Sequence, residues 1–158
     1  MTNIQKICLL KEAPFTIPTL SRWFVDEWTS WYGPEGKGNS TRDLEACLQH
    51  DNLPLAVVAL DDNNTVLGTA ALKLQSLGSE LGYGPWLSAL LVGRPFRRQG
   101  IGNSLIRAIE DQARQLGLKR IYVSTDTAIS LVTRRGWILT GQQVASPRGS
   151  VPILYRNL

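Results

Sequence analysis

The stretch Trp86-Leu87-Ser88-Ala89-Leu90-Leu91-Val92-Gly93-Arg94-Pro95-Phe96-Arg97-Arg98-Gln99-Gly100-Ile101-Gly102 decides the fold. Trp86 to Val92 is apolar nearly throughout, the pattern of a central strand buried on both faces. From Gly100 the period changes. Ile101, Leu105, Ile109, Ala113 and Leu116 recur on one helical face, and Gly117 stops the helix at Gln115 or Leu116. Lys119 to Thr125 then reads as a second strand. Strand, loop, helix and strand form a β-α-β unit, so the two strands are expected side by side, parallel and joined by a right-handed crossover.

Downstream, a short helix is expected from about Thr127 to Arg135. A hairpin follows, Trp137 to Val144 and Val151 to Tyr155, turning at Ser146-Pro147-Arg148-Gly149. Upstream, strands at 55–60 and 65–75 are joined by Asp61-Asp62-Asn63-Asn64, residues that tolerate the left-handed backbone of a tight turn. A helix beginning at Ser40 or Thr41 turns Leu44, Cys47 and Leu48 inward and closes at Leu53-Pro54. Residues 19–32 carry Leu20, Trp23, Phe24, Trp28 and Trp31 at helical spacing. Core packing is the plainer reading of that tryptophan-rich stripe, and contact with a substrate is the other. Residues 4–10 supply a first strand.

At 158 residues, 43% hydrophobic and 19% charged, the chain is sized and composed for one globular domain over 1–158. Its longest apolar runs fall far short of the ~20 residues of a membrane span. Met1 to Lys6 lacks the apolar block of a secretory signal, so a cytoplasmic location is expected. Cys8 and Cys47 belong to no C-x-x-C pair and are read as reduced, buried thiols. His50 is the sole histidine; it is read as a surface residue at a helix end, and no metal site is expected.

The formal net charge of +4 admits an anionic ligand, with Arg94, Arg97, Arg98, Arg134 and Arg135 gathered in the second half. A helix N-terminus leaves its first amides unpaired and carries partial positive charge, so the loop before Ile101 suits an anion. Gly100 and Gly102 allow close backbone approach, Arg97 and Arg98 add charge, and Asn103 and Ser104 add hydrogen bonds. Leu105 stands where a dinucleotide fingerprint needs its third glycine, so NAD is not expected. Gly36-Lys37-Gly38 lacks the spacing and hydroxyl of a Walker loop. Nucleic acid is not expected either, because no recognition helix or row of stacking aromatics accompanies the arginines.

The run Trp86–Gly102 resembles the GNAT superfamily pattern of an apolar strand, a proline, then [RQ]-x-x-G-x-[GA]. Tyr122-Val123-Ser124-Thr125, Ala128 to Arg135 and Gly136-Trp137 are similar to the family's next strand, short helix and Gly-aromatic pair. The resemblance implies a single-domain α/β GNAT-like fold: a mixed, mostly antiparallel sheet of about seven strands, a central parallel pair, and helices on both faces. It implies an N-acetyltransferase using acetyl-CoA as co-substrate. Arg97, Arg98, Gln99, Gly100, Ile101, Gly102, Asn103 and Ser104 would hold the pyrophosphate, and the backbone of Leu90, Leu91 and Val92 the pantetheine arm. The thioester would sit near Ser88, Leu90 and Thr125.

One position departs from the family. Val132 stands where many members place a tyrosine that protonates the departing thiolate. A thiol near pKa ~8.5 gains only ~2 kcal/mol by protonation at pH 7, whereas freeing an alkyl amine of pKa ~10.4 from its proton costs ~4–5 kcal/mol. Deprotonating the amine is the larger task. Glu27, Glu80 and Asp126 are the candidate carboxylates, Glu27 first because family substrates approach along the first helix; Ser130 and Thr133 are candidate relays. The expected acceptor is an amine on a small molecule or a protein, and a homodimer is left open. A non-catalytic acyl-CoA-binding module is the alternative, and a nucleic-acid-binding domain the weaker one.

Overall fold

The computed structural model describes residues 3, 4 and 6–158. Its elements in chain order are β1 (Lys6–Leu9), α1 (Ile17–Glu27), α2 (Thr29–Tyr32), α3 (Ser40–Ala46), β2 (Leu55–Leu60) and β3 (Val66–Lys73). There follow β4 (Trp86–Val92), α4 (Ile101–Gln115), β5 (Arg120–Ser124), α5 (Ile129–Arg134), β6 (Ile138–Ser146) and β7 (Gly149–Asn157). One seven-stranded sheet runs in the order β1-β2-β3-β4-β5-β7-β6. Every neighbouring pair is antiparallel except β4 with β5. The mixed sheet with one parallel pair is the architecture expected. Of the expected first strand, Gln5 lies outside the described residues, as do Met1 and Thr2.

Alternation along β2 sends its side chains to opposite faces, and both are covered. Leu55, Val57 and Ala59 join Ile101, Leu105, Ile106 and Ile109 of α4. Ala56, Val58 and Leu60 join Leu20 and Phe24 of α1 and Leu44 of α3. Burying each large side chain contributes roughly 1.5–3 kcal/mol, so these two layers clamp the sheet between α4 on one side and α1 with α3 on the other. α4 ends as expected: Gly117 has φ +77°, and Leu118 N–H bonds Ala113 O at 3.0 Å while Gly117 N–H bonds Arg114 O at 3.0 Å.

The tryptophan-rich segment is one helix in its pattern but two in the structure. Trp28 leaves the helical region (φ −120°, ψ 54°), and the Thr29 hydroxyl donates to the carbonyls of Val25 and Asp26 at 2.8 and 3.1 Å. The break lets the Trp28 ring meet Phe24 edge-on, 5.0 Å between centroids. Apolar periodicity cannot register it, because the apolar residues continue through it. α1 also begins earlier than expected, at Ile17, since Pro18 is tolerated in a first helical turn. Asn39 caps α3, its side-chain oxygen accepting from Arg42 N–H at 3.0 Å. Cys47 is buried, but Cys8 is only half-buried, which corrects the expectation for that thiol; burial pushes both thiols up. His50 is exposed beyond α3, its Nδ1 2.9 Å from Lys11 Nζ. No helix among the described residues is long and apolar enough to cross a membrane.

Burial of β4 lapses in its middle, although Leu91 beyond it is buried again. Trp86 and Leu87 are buried, but Ser88, Ala89 and Leu90 are partly exposed. Two features cause this. A β-bulge sets Ala89 and Leu90 against Ala70, between the pairs Ala71↔Ser88 and Thr69↔Leu91, with Ala89 at φ +52°. Strand β5 also leaves β4 immediately.

A buried ionic knot stands behind the sheet. Glu110 of α4 is fully buried and accepts from Arg135 Nη2 at 2.5 Å, Arg135 Nε at 3.2 Å and Trp137 Nε1 at 2.9 Å. Arg156 Nε of β7 lies 3.7 Å away and makes no hydrogen bond of its own. Burial opposes ionisation of Glu110, yet the hydrogen bonds from Arg135 and Trp137 and the charges of Arg135 and Arg156 outweigh it and hold the carboxyl below its ordinary range. Arg135 is correspondingly raised by its bonds to Glu110.

Removing one member of such a cluster strands the others, so Glu110→Ala is expected to lower unfolding free energy by about 3–5 kcal/mol, read by urea denaturation. The sign of the pH effect follows from the lowered carboxyl. Its stabilisation is complete above the unfolded-chain value and is lost as pH falls through the folded one. Acid titration of stability should therefore be shallower in Glu110→Gln than in the parent below about pH 4.3.

Candidate active site

The site starts where the sheet divides. β4 and β5 share a single register pair, Trp86↔Tyr122, reinforced by Tyr122 N–H bonding Pro85 O at 2.9 Å. Beyond it β5 stays with β7, through five pairs from Arg120↔Asn157 to Ser124↔Ile153, while β4 stays with β3. The two strands thus diverge toward Val92 and Ser124. Tyr83 stacks on Tyr122 at 4.6 Å and Trp86 lies 5.8 Å from it, fixing the closed end with packed aromatics.

At the open end of β4 the chain turns through Arg94–Phe96 into α4. Arg98 and Gly100 both take left-handed backbone, φ +63° and +84°. A Cβ on Gly100 would meet nothing within 4 Å, so its conformation is what calls for glycine, whereas a Cβ on Gly102 would approach Leu131 Cδ2 to 3.1 Å. Gly102 therefore serves the close approach of α5 to α4. The first intrahelical bond of α4 runs from Ser104 N–H to Gly100 O at 3.2 Å. The amides of Ile101, Gly102 and Asn103 consequently have no acceptor within the helix, which makes this end attractive to an anion.

The side chains of the expected pyrophosphate loop make different contacts within the protein. Arg97 turns to the α1 side, its Nε donating to Val92 O at 2.9 Å and its Nη2 meeting Glu27 Oε1 at 3.4 Å. Arg98 is exposed and its guanidinium makes no ion pair among the described residues, so it is a loop cation open to an anion beside the start of α4. Asn103 Oδ1 accepts from Arg135 Nη1 at 3.1 Å, and Ser104 Oγ donates to Gly100 O at 3.2 Å. Both hold the turn in shape. Gln99 lies exposed between Arg98 and Gly100.

Two of the three candidate carboxylates come together at the open end of the fork. Arg148, in the β6–β7 turn, donates from Nη2 to Glu27 O at 3.1 Å, lies 3.8 Å from Glu27 Oε2, and brings Nη1 to 4.0 Å from Asp126 Oδ1. Glu27 is thereby bridged by Arg97 and Arg148, one at each oxygen. Among the described residues Asp126 has only the long contact. Glu80 is exposed on a 3-10 turn, Ser79–Leu81, ahead of β4 at the end where the strands are still paired, and forms no ion pair among the described residues. The sequence pattern missed Arg148. It stands 121 residues from Glu27, and nothing local distinguishes it from an ordinary turn arginine.

A recess of about 440 Å³ adjoins the open end, lined by Trp23, Glu27, Leu91, Gly93 and Arg97 among others. Trp23 packs so closely that a Cβ on Gly93 would come within 2.6 Å of its ring. The tryptophans therefore separate by role: Trp23 walls the recess, Trp28 packs on Phe24, and Trp31 is half exposed. A second recess of about 510 Å³ runs between α4 and β1 and includes Cys8 and Arg107, away from the fork. Val132 is fully buried in the α4 core, so its position offers no hydroxyl. Ser130 is exposed, and the Thr133 hydroxyl donates back to Ile129 O at 2.8 Å. Among the described residues no three or more His, Cys, Asp or Glu side chains gather as metal ligands.

The family model described as the Acetyltransferase (GNAT) family matches residues 17–137. Among solved structures the chain is similar to an aminoglycoside 6'-N-acetyltransferase complexed with coenzyme A, at 17% identity and TM-score 0.75, with 97% of each chain covered. It is also similar to the aminoglycoside 6'-N-acetyltransferase from Enterococcus faecium, at 18% identity and TM-score 0.73, again over 97% of each chain. A GCN5-related N-acetyltransferase from Kribbella flavida superimposes at TM-score 0.74 and 18% identity over the same 97% of each chain. At these identities the likeness is one of fold. No curated protein matches by sequence. Because the matched residues take in α1, the fork, the loop before α4 and the Gly136-Trp137 pair, the chain belongs to the GNAT acetyltransferase family.

Proposed function

We propose that this N-acetyltransferase moves the acetyl group of acetyl-CoA directly to a primary amine held at the open end of the β4–β5 fork. The fork carries the reading. Two adjacent strands that pair once and then part leave backbone donors and acceptors that an extended, amide-containing arm can satisfy as a strand would. Leu90, Leu91 and Val92 offer that edge. The amides of Ile101, Gly102 and Asn103, with the open guanidinium of Arg98, suit the diphosphate at the arm's far end.

The amine nitrogen forms a bond to the acetyl carbon as the C–S bond breaks. A primary ammonium gives up two protons to solvent overall and the thiolate takes one from solvent, so the net release is one proton. Backbone amides of β4 polarise the thioester carbonyl. With Val132 in the core, the thiolate takes its proton from water, a modest handicap since thiol pKa values sit near ~8.5. Asp126 is the carboxylate we assign to the incoming amine, because its oxygens are less engaged than those of Glu27. Residues 1–158 then act as one N-acetyltransferase domain. Cytoplasmic residence belongs to the same proposal, supported by Cys8 and Cys47, which are both free thiols.

Calorimetric titration of CoA and a thiol-release assay with acetyl-CoA and a panel of amines test this reading, with an enzyme-only blank for the half-buried Cys8. Heat on CoA addition and turnover with an amine are expected. Arg98→Ala should weaken CoA binding about tenfold through loss of one charged contact, and Asp126→Asn should lower kcat/KM by about a hundredfold while leaving CoA affinity unchanged. Well-folded protein that gives no heat with CoA would sink the assignment.

A further inference from the structure

The charges around the fork narrow the acceptor, an inference that rests on the acetyltransferase reading above. Four ionised groups meet at the open end: Glu27 and Asp126 from one sign, Arg97 and Arg148 from the other. Asp26 and Arg94 add one more of each at the edge of the adjoining recess. The mouth is balanced, not acidic. A polycation entering it would find each carboxylate already facing a guanidinium.

Arg148 is the informative member. Its backbone is fixed in the hairpin turn, where its N–H bonds Ser146 Oγ at 3.1 Å, and its side chain reaches over to α1. Among the described residues only Nη2 of the guanidinium makes a hydrogen bond, to Glu27 O. Nη1 sits 4.0 Å from Asp126 Oδ1, beyond hydrogen-bond distance, and Nε has no acceptor among the described residues. The guanidinium, 45% exposed, thus faces the mouth with donors to spare. An incoming ammonium alone would take Asp126 from Arg148 and give that arginine nothing in return. A ligand carrying both an ammonium and a carboxylate exchanges one loose ion pair for two good ones, because guanidinium is shaped to receive a carboxylate.

We propose that the acceptor is a small zwitterion, an amine that also bears a carboxylate such as an amino acid or short peptide. Arg148 takes its carboxylate and Asp126 its ammonium. This differs from an aminoglycoside, the polycationic amine named by three of the structures sharing the fold. Arg148 is a specificity-determining residue in this account, and the chemistry of transfer is unchanged.

The test is a cycle between enzyme and substrate. Amino acids and their carboxamides, with spermidine and kanamycin as polycations, are assayed against the parent protein, Arg148→Ala and Arg148→Lys. Carboxylated amines should give the highest kcat/KM. Arg148→Ala should raise KM for an amino acid by about 10–100-fold, a charged hydrogen bond's worth, while changing its carboxamide by no more than about twofold. Arg148→Lys should recover part of the loss. Comparing each substrate with itself across variants cancels the different basicity of acid and amide. An equal effect on acid and carboxamide would mean that Arg148 acts only by holding Glu27, and would overturn the proposal. So would a polycation that outranks every carboxylated amine. If CoA still gives heat but no member of the panel is acetylated, the zwitterion inference fails and the donor site stands; if CoA gives no heat, the reading beneath it fails first.

Discussion

The parting of β4 from β5 after one pair is the constraint from which the rest of the molecule follows. A parallel pair inside a sheet normally continues, because each further residue adds hydrogen bonds and cross-strand packing. Here β7 holds β5 along its whole length and β3 holds β4, so the two halves of the sheet are each complete without the other. The bulge at Ala89 gives the departure its direction. A non-glycine residue at φ +52° costs of order 1–3 kcal/mol, and such strain persists only where neighbours over-determine it. Leu87 and Leu91, buried on opposite faces on either side of Ala89, provide that support. The open backbone edge beyond the bulge is thus built into a well-packed strand.

The electrostatics at the mouth separate two carboxylates that sequence alone ranks the other way. Glu27 lies on the helix along which family substrates approach, but a guanidinium stands at each of its oxygens and its backbone carbonyl is also taken by Arg148. A carboxylate so engaged is a bridge: it carries α1, the α4 loop and the β6–β7 turn to a common point. Asp126 keeps free lone pairs, since its contact to Arg148 is long. Availability of the oxygens, more than nearness to the first helix, is what supports the proposal that Asp126 receives the amine. Arg97 makes the same point for the loop. Its guanidinium serves the Val92 carbonyl and Glu27, which is why the proposed diphosphate contacts are given to backbone amides and Arg98.

What could be read from the chain was whatever depends on local period and turn chemistry. The apolar run of β4, the helical stripe of α4, the Gly117 stop and the polar turn at 61–64 each express a preference within a few residues, and each stands in the structure. The turn even keeps its left-handed residue, Asn64 at φ +60°, with the Asp61 side chain accepting from the Asn63 and Thr65 amides at 2.9 and 2.8 Å. The helix break at Trp28 was invisible because the residues on both sides are equally apolar. The Ala89 bulge was invisible because alanine carries no mark of a positive φ. Arg148 was missed for a different reason: its meaning lies in a partner 121 residues away along the chain.

Glu110 stands between these cases. It follows Ile106 by one helical turn and precedes Ala113 on the inward face of α4, a carboxylate on an otherwise apolar stripe that reading the helix by its apolar period alone passes over. The structure answers with Arg135, Trp137 and Arg156. That choice joins the two halves of the site. Through Arg135 the knot reaches Asn103 and sets the first turn of α4, where the anion-seeking amides lie. Through Trp137 and Arg156 it fixes the base of the β6–β7 hairpin, whose tip carries Arg148 to the mouth of the fork. A hydrophobic residue at 110 would pack α4 against the sheet equally well, but it would leave the helix free to rotate against α5 and the hairpin. The desolvated carboxylate, which accepts three hydrogen bonds from Arg135 and Trp137 in the connection between α5 and β6, opposes that freedom.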